Sequence, residues 1–339
     1  MFNLKKGNNF AIDLGNNNTI LSKVDSSLSH PTLVVLHTSD QSVKAVGKEA
    51  FDMLGKVQEN YKVVRPLREG LIADFNSTKE MLRVMVSGAY PKSGMLSGFD
   101  HIIAGVPYAS TEVERRALRD ALVQFNASKT LLIFEPLAAA VGMGLDVFLP
   151  EGKLVVDIGG GITEAAVISF AGIVNHTSIK TAGDIFDHDI QQHIKKAYHI
   201  DIGTSTAEQV KVHIGAAREM TENCPPAFSV IGKDASDNIP REIILEHAEI
   251  AKALDQSISK IEIAILKALE ECPPELAGDI HKSGIHLTGG GSLLRGLKDR
   301  IEAKVQTPVH HDPEPLLSVA KGMILILKNP KKFRSLLFK

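Results

Sequence analysis

Short apolar runs that carry an Asp into a Gly-bearing turn, followed by a second apolar run, recur along this chain. Leu154 to Ser169 reads LVVDIGGGITEAAVIS. Leu154, Val155 and Val156 deliver Asp157 into Gly159, Gly160 and Gly161; the polar Thr163–Glu164 pair then leads into a second run from Ala165 to Ile168. Two such runs around a Gly turn predict a β-hairpin. Phe10 to Ser22, FAIDLGNNNTILS, repeats the pattern with Asp13, Gly15 and Thr19 around Asn16, Asn17 and Asn18. The two Asp residues stand 144 positions apart, which predicts a duplicated unit with one such hairpin in each half. A third element, GIHLTGGGSLLRG from Gly284, predicts a strand whose Gly289, Gly290 and Gly291 open a helix.

Between these landmarks the pattern alternates strands and helices. Strands are predicted over 32–36 and 43–46, a short helix over 48–54, and a loop-rich connection over 63–75. Asn76, Ser77 and Thr78 offer caps for a helix running to about Ala89. A strand over 102–106 precedes a helix capped at Ser110–Thr111. A strand over 130–134 then enters Glu135–Pro136, where proline suits a first helical turn. Helices follow over 183–198 and 206–219, then an edge hairpin near 228–231. Apolar positions 250, 254, 258, 261 and 265 predict a long helix over 243–269. The last segment, KKFRSLLFK, sets Phe333, Leu336 and Leu337 beside four basic residues, able to dock on the body or on a membrane surface.

Composition narrows the reading. The 339 residues suit about two domains. With 44% apolar and 23% charged residues the chain is ordinary for a globular protein. A net charge of −2 excludes the overall basic character of a nucleic-acid binder. Two cysteines make a disulfide scaffold implausible and suggest a reducing cytosol. No apolar run approaches the roughly 20 residues that span a bilayer, so any membrane contact is expected to be peripheral.

The turns suggest chemistry. Glycines lacking Cβ let backbone N–H groups approach an anion, and an Asp at a strand end can hold a divalent cation beside it. A Gly turn feeding a helix N-terminus suits a phosphate or the close approach of a ribose and base. There is no GxxxxGK[ST] loop and no kinase catalytic-loop signature. Three such elements, with an Asp in each half, describe a nucleotide pinched between two α/β halves with Mg²⁺.

These stretches make the chain similar to the actin, hexokinase and heat-shock chaperone superfamily, and within it to the MreB family of bacterial actins. The resemblance runs through IDLGNNNT (12–19), RPLREGLIADF (65–75), VPYASTEVERRALRDA (106–121), EPLAAAVGMGL (135–145), VVDIGGGITEAAVIS (155–169), GDIFD (183–187), TAEQVKVHIGAA (206–217), LTGGGSLLRGL (287–297) and VAKG (319–322). It implies an actin-like two-lobed α/β fold of duplicated ribonuclease-H-like domains with a nucleotide cleft between the lobes. Subdomain IA would take 1–30, 75–146 and 320–339, IB 31–74, IIA 147–182 and 250–319, and IIB 183–249.

The resemblance also implies roles. Asp13 and Asp157 would organise Mg²⁺ mainly through water, and Glu135 would orient or activate the attacking water. Gly15, Asn16, Asn17, Asn18, Thr19, Gly159, Gly160, Gly161 and Thr163 would surround the phosphates. Gly183, Glu208, Lys211 and Gly289 to Gly291 would line the rest of the pocket for ATP or ADP. The implied protein is a filament former and weak ATPase, assembling as polar protofilaments in antiparallel pairs at the cytoplasmic face of the membrane. A non-polymerising ATPase or kinase of the same superfold is the alternative.

Two departures from the family pattern stand out. Asn16–Asn17–Asn18 replace a small residue plus hydroxyl, and an amide can still hydrogen-bond phosphate. Ile162 stands where the family has the first Thr of GGGTTE, which helps hold the lytic water; Ile cannot, so slow hydrolysis is expected. Phe2 and Leu4 beside Lys5 and Lys6, and Met95–Leu96 in a small apolar loop, are the candidate membrane contacts.

Overall fold

A computed structural model describes residues 8–90, 99–219 and 222–338. The first half begins with β1 (Phe10–Leu14), β2 (Asn18–Lys23) and β3 (Ser26–Pro31). Next come β4 (Val34–His37), β5 (Val43–Val46), α1 (Lys48–Asp52), β6 (Tyr61–Val64), β7 (Leu67–Arg68) and β8 (Leu71–Ile72). It closes with α2 (Phe75–Ala89), β9 (His101–Val106), α3 (Glu112–Leu122), β10 (Lys129–Phe134) and α4 (Glu135–Gly142). The second half begins with β11 (Lys153–Ile158), β12 (Thr163–Ser169), β13 (Gly172–Ile179), α5 (Gly183–Tyr198), β14 (Ile200–Asp201) and α6 (Thr204–Ile214). It continues through β15 (Phe228–Asp234), β16 (Pro240–Leu245), α7 (His247–Glu270) and α8 (Pro274–Ser283). It ends with β17 (Ile285–Thr288), α9 (Leu297–Val305), β18 (Val309–His311) and α10 (Ser318–Lys328).

The two halves repeat one plan. One five-stranded sheet has the order β10-β9-β1-β2-β3, the other β18-β17-β11-β12-β13. In each, three antiparallel strands are followed by two parallel ones, and a helix closes the half: α4 after β10, α10 after β18. A small sheet, β5-β4-β6 or β14-β15-β16, is inserted at the same point of each plan, after the third strand. The duplication expected from the two Asp-bearing hairpins is present.

Strand alternation decides which way each half faces. Along β1, Phe10, Ile12 and Leu14 enter an outer core with helices α2 and α3. Along β11, Leu154, Val156 and Ile158 enter the corresponding core of the second half. The opposite parity, Ala11 and Val155, packs on a third core shared by the halves, made largely of α4 and α10. Asp13 and Asp157 therefore lie on the faces that the two halves turn toward each other.

Alpha4 and α10 meet backbone to backbone. A β-carbon at Gly142 would stand 1.9 Å from the Ser318 carbonyl oxygen, and one at Gly322 would stand 1.8 Å from that of Ala138. Both positions admit hydrogen alone. The alanines of EPLAAAVG, Ala138, Ala139 and Ala140, are fully buried in the same core.

Four expectations shift. Helix α2 begins earlier than Asn76, because Asp74 is its cap: its carboxylate accepts from the Ser77 N–H at 3.0 Å. Residues 240–245 are strand rather than the start of the long helix, which opens at His247 behind a Glu246–Glu249 capping box. Helix α6 stops at Ile214, where the extended Gly215 lets Ala216 bridge to Arg295. The terminal segment docks on the body. Phe338 pairs with Leu132 through bonds of 2.8 and 3.0 Å, which covers the β10 edge, and its ring lies 4.6 Å from Phe134.

Gly322→Ala is expected to cost about 2–3 kcal/mol of unfolding free energy by overpacking, read by chemical denaturation. Gly278→Ala, on α8 with open space around it, should be neutral or slightly stabilising. Equal midpoints for the two variants would show that the helices do not touch as described.

Candidate nucleotide-binding cleft

The two hairpin turns close in the same way. The Gly15 N–H donates to the Asn18 carbonyl at 3.1 Å, and the Gly159 N–H donates to the Ile162 carbonyl at 3.0 Å. Asn18 and Ile162 are thus equivalent positions, as are Thr19 and Thr163. The turns sit across from each other at the mouth of a cleft of about 330 Å³, within the range of small-molecule sites. Both also lie at the edge of direct contact. A β-carbon on Gly160 would stand 2.8 Å from the Asn17 Nδ2, and one on Gly161 only 2.0 Å from the Asn16 Nδ2.

Four carboxylates gather beneath the turns. Asp13, Asp157 and Glu135 line the cleft, with Glu164 buried behind them. Glu135 opens α4 directly after β10, and Gly105 on the neighbouring strand makes room for it: a β-carbon there would stand 3.1 Å from the Glu135 Cγ. Burial raises Asp13 to about 7. Asp157 also rises to about 7, by burial first and then by the charges of Asp13 and Glu164. Burial, Asp13, Glu164 and Asp157 together hold Glu135 well above the usual carboxylate range. Glu164 is anchored by the Tyr108 N–H at 3.1 Å and His176 Nε2 at 2.8 Å.

Paired acceptors that resist ionisation in this way suit a cation opposite a phosphate. Among the described residues no three His, Cys, Asp or Glu side chains converge as metal ligands. Asp13 and Asp157, which line the cleft, are the carboxylates whose chemistry fits a divalent cation there.

The far end of the cleft has a different character. Lys211 is fixed by an ion pair with Asp187 at 2.8 Å and a bond to the Gly183 carbonyl at 3.1 Å, with Glu208 beside it on α6. Asp187 is raised to about 6, chiefly by burial, which Lys211 partly offsets. Opposite, Gly289 and Gly291 pack on β11, with Gly290 facing Leu316. At Gly289, φ is +80° and a β-carbon would lie 2.2 Å from the Asp157 Oδ1, so only glycine serves. Val212, Leu293 and Leu316, each at least half exposed, line this end and give it flat apolar surface suited to a base.

Most of the residues expected in the pocket meet here: Gly15, Asn16, Asn17, Asn18, Gly159, Gly160, Gly183, Glu208, Lys211 and the 289–291 turn. Three do not. Thr19 is fully buried, its hydroxyl 3.0 Å from that of Thr32. Thr163 is fully buried too and donates to the Thr181 carbonyl at 2.7 Å. Both have entered their strands, where alternation turns them away from the cleft, on the side of Leu14 and Ile158 that faces each half's own core. Gly161 opens instead onto an adjoining cleft with Arg65, Glu69 and Lys180. Asp187 was missed from sequence although GDIFD carries it, since nothing in one helix announces its pairing with another. Phe2, Leu4, Met95 and Leu96 lie outside the described residues.

A family model described as MreB/Mbl protein matches residues 7–335. The chain is 39% identical over 321 residues to the cell shape-determining protein MreB of Escherichia coli (strain K12), covering 93% of this chain and 92% of that one. It is 37% identical over 323 residues to the cell shape-determining protein Mbl of Bacillus subtilis (strain 168), covering 95% and 96%. Crystal structures of MreB5 of Spiroplasma citri bound to ADP and to AMPPNP superpose with TM-scores of 0.89 at 33% identity, covering 96% of this chain and 97% of theirs. A MamK double helical filament shares the fold at 19% identity, with a TM-score of 0.81 over 95% of this chain and 99% of that one. The fold is actin-like.

With its pKa raised, Asp157 keeps a proton in the folded chain that the unfolded chain releases above about pH 4. Folded protein thus binds more protons between about 4 and 7, and stability falls as pH rises through that window. Asp157→Asn is expected to raise the melting temperature of nucleotide-free protein at pH 8, by about 1–3 kcal/mol of stability, with a smaller gain at pH 5, while weakening nucleotide binding. Thermal melts at both pH values check this; a gain independent of pH would refute it.

Proposed function

This chain belongs to the MreB/Mbl family, and from that premise we propose that it is an ATP-binding, filament-forming bacterial actin that supports cell shape. The observation that carries the reading is the pair of equivalent Gly turns facing each other over Asp13, Asp157 and Glu135. The ADP and AMPPNP complexes of the Spiroplasma citri protein support a nucleotide in that cleft.

Backbone N–H groups of the two turns bind the phosphates, while Lys211, Glu208 and the 289–291 turn take the ribose and base. Asp13 and Asp157 would hold Mg²⁺, mainly through water, and the ion would supply positive charge beside the phosphates. Glu135 orients the attacking water and accepts its proton once the charge around it is balanced. Positioning supplies most of the catalysis. Ile162 has no group to bind that water, and its side chain lies against Gly70, 3.4 Å from where a β-carbon would sit. Hydrolysis is accordingly slow. Filaments assemble as polar protofilaments in antiparallel pairs, in the cytoplasm at the inner membrane face, with Phe2, Leu4, Met95 and Leu96 entering the lipid surface.

Sedimentation with ATP and Mg²⁺ is expected to pellet the protein; a soluble supernatant under all conditions would favour a non-polymerising ATPase. Ile162→Thr should raise phosphate release about tenfold, on the scale of one positioned hydrogen bond to reacting water. No gain would remove Ile162 as the cause of slow turnover. In liposome pelleting, Phe2→Ser with Leu4→Ser, and separately Met95→Ser with Leu96→Ser, should reduce binding; undiminished binding in both would exclude these contacts.

A further inference from the structure

The amides of the first turn are already engaged. The Asn16 Oδ1 accepts from the Gly70 N–H at 2.7 Å, and its Nδ2 donates to the Asp184 Oδ2 at 3.3 Å. A backbone N–H can only donate, so the amide orientation is fixed by its partner. Asn16 is 8% exposed, so both bonds are made away from bulk water, where leaving them unmade costs most. Asn17 is tied as well, accepting from Arg65 Nη1 at 2.6 Å.

Asn16 thus joins three parts of the molecule: the first hairpin, the Glu69–Gly70 turn between β7 and β8, and the start of α5 in the second half. Two further contacts grip the same turn from the second half. Lys180 pairs with Glu69 at 2.7 Å, and Ile162 packs on Gly70. Three of these contacts, Asn16–Asp184, Glu69–Lys180 and Gly70–Ile162, join one half to the other, while Asn16–Gly70 and Asn17–Arg65 brace the first half's side of the seam.

We propose that Asn16 is a cross-cleft positioning residue which, with the Glu69–Lys180 pair, latches the two halves together through protein contacts. A ligand shifts a conformational equilibrium only by its differential affinity for the two states. Closure supplied by the chain itself leaves less for the γ-phosphate to decide. The latch makes this protein less discriminating between ATP and ADP than a chain whose halves close on phosphate alone. The inference rests on the nucleotide-cleft reading for that consequence, but its first readout does not.

The test uses the full chain and four variants: Asn16→Ala, Asp184→Ala, Glu69→Lys, and Glu69→Lys combined with Lys180→Glu. Hydrogen exchange of the nucleotide-free protein should show slow exchange at the Gly70 amide, at least tenfold faster in the three single variants and restored by the charge swap. ADP and ATP affinities of the parent should lie within about threefold. Asp184→Ala and Glu69→Lys should shift the ratio toward ATP about tenfold, and the swap should return it. Glu69 and Lys180 are surface residues, so the swap keeps the test open even if Asn16→Ala misfolds. Unchanged Gly70 exchange in Glu69→Lys and Asp184→Ala, or an unmoved ATP/ADP ratio, would overturn the latch. Absence of nucleotide binding altogether would instead overturn the functional reading, with the exchange arm still deciding the latch.

Discussion

The contact between α4 and α10 sets the geometry on which everything else depends. These helices occupy the same place in the two halves of a duplicated plan, and they cross where Gly142 and Gly322 bring backbone against backbone. Because no side chain separates them, the two large sheets stand at a spacing fixed by main-chain atoms. Side chains can change rotamer; carbonyl oxygens in a helix cannot retreat. The inward faces of β1 and β11 are thereby held at a fixed separation, and the hairpin turns above them meet.

From that spacing the chemistry follows by strand parity. The positions that alternate inward are Ala11 then Asp13 on β1, Val155 then Asp157 on β11, and Ile168, Ala166 then Glu164 on β12. Apolar residues occupy the deep part, where α4 and α10 fill the space, and carboxylates take over where the helices end. Glu135 joins them as the first residue of α4. The result is an acidic cluster whose pKa values are raised by burial first and, for Glu135 and Asp157, by the neighbouring carboxylates second. Such self-repulsion is a poor device for stability and a good one for coupling ligand binding to closure.

What the sequence made legible was what local pattern controls. Hairpins, their Asp residues and the glycine turns are short-range features, and their repetition at a 144-residue interval exposed the duplication. The glycines announced close approach, and close approach is what they provide. Less legible were features decided by a distant neighbour. Thr19 and Thr163 follow the turns so closely that a phosphate role was natural, yet one further step along a strand reverses a side chain. Asp74 outcompeted Asn76 as the cap of α2 because the chain reaches the helix from a turn that already faces it. Ile243 and Ile244 fit a helical stripe as well as a strand, and only pairing with β15 decides. The terminal segment, open between lipid and protein, found the unpaired edge of β10.

The two departures from the family pattern, Asn16 and Ile162, lie 146 residues apart and gave no sign of being related. In the fold they meet at Gly70, one taking its N–H and the other packing on its flank. Each stands where the resemblance implies a group serving the nucleotide, and each instead contacts the Glu69–Gly70 turn. A hydroxyl at either place would be free to hold phosphate or water; an amide with both ends bonded, and an apolar branch against a backbone, are not. On the proposed reading, their joint effect would be to transfer work from the ligand to the protein: closure would gain contacts of its own, and the reacting water would lose one. The slow hydrolysis and the self-supported closure proposed above would therefore both follow from one arrangement around a single turn.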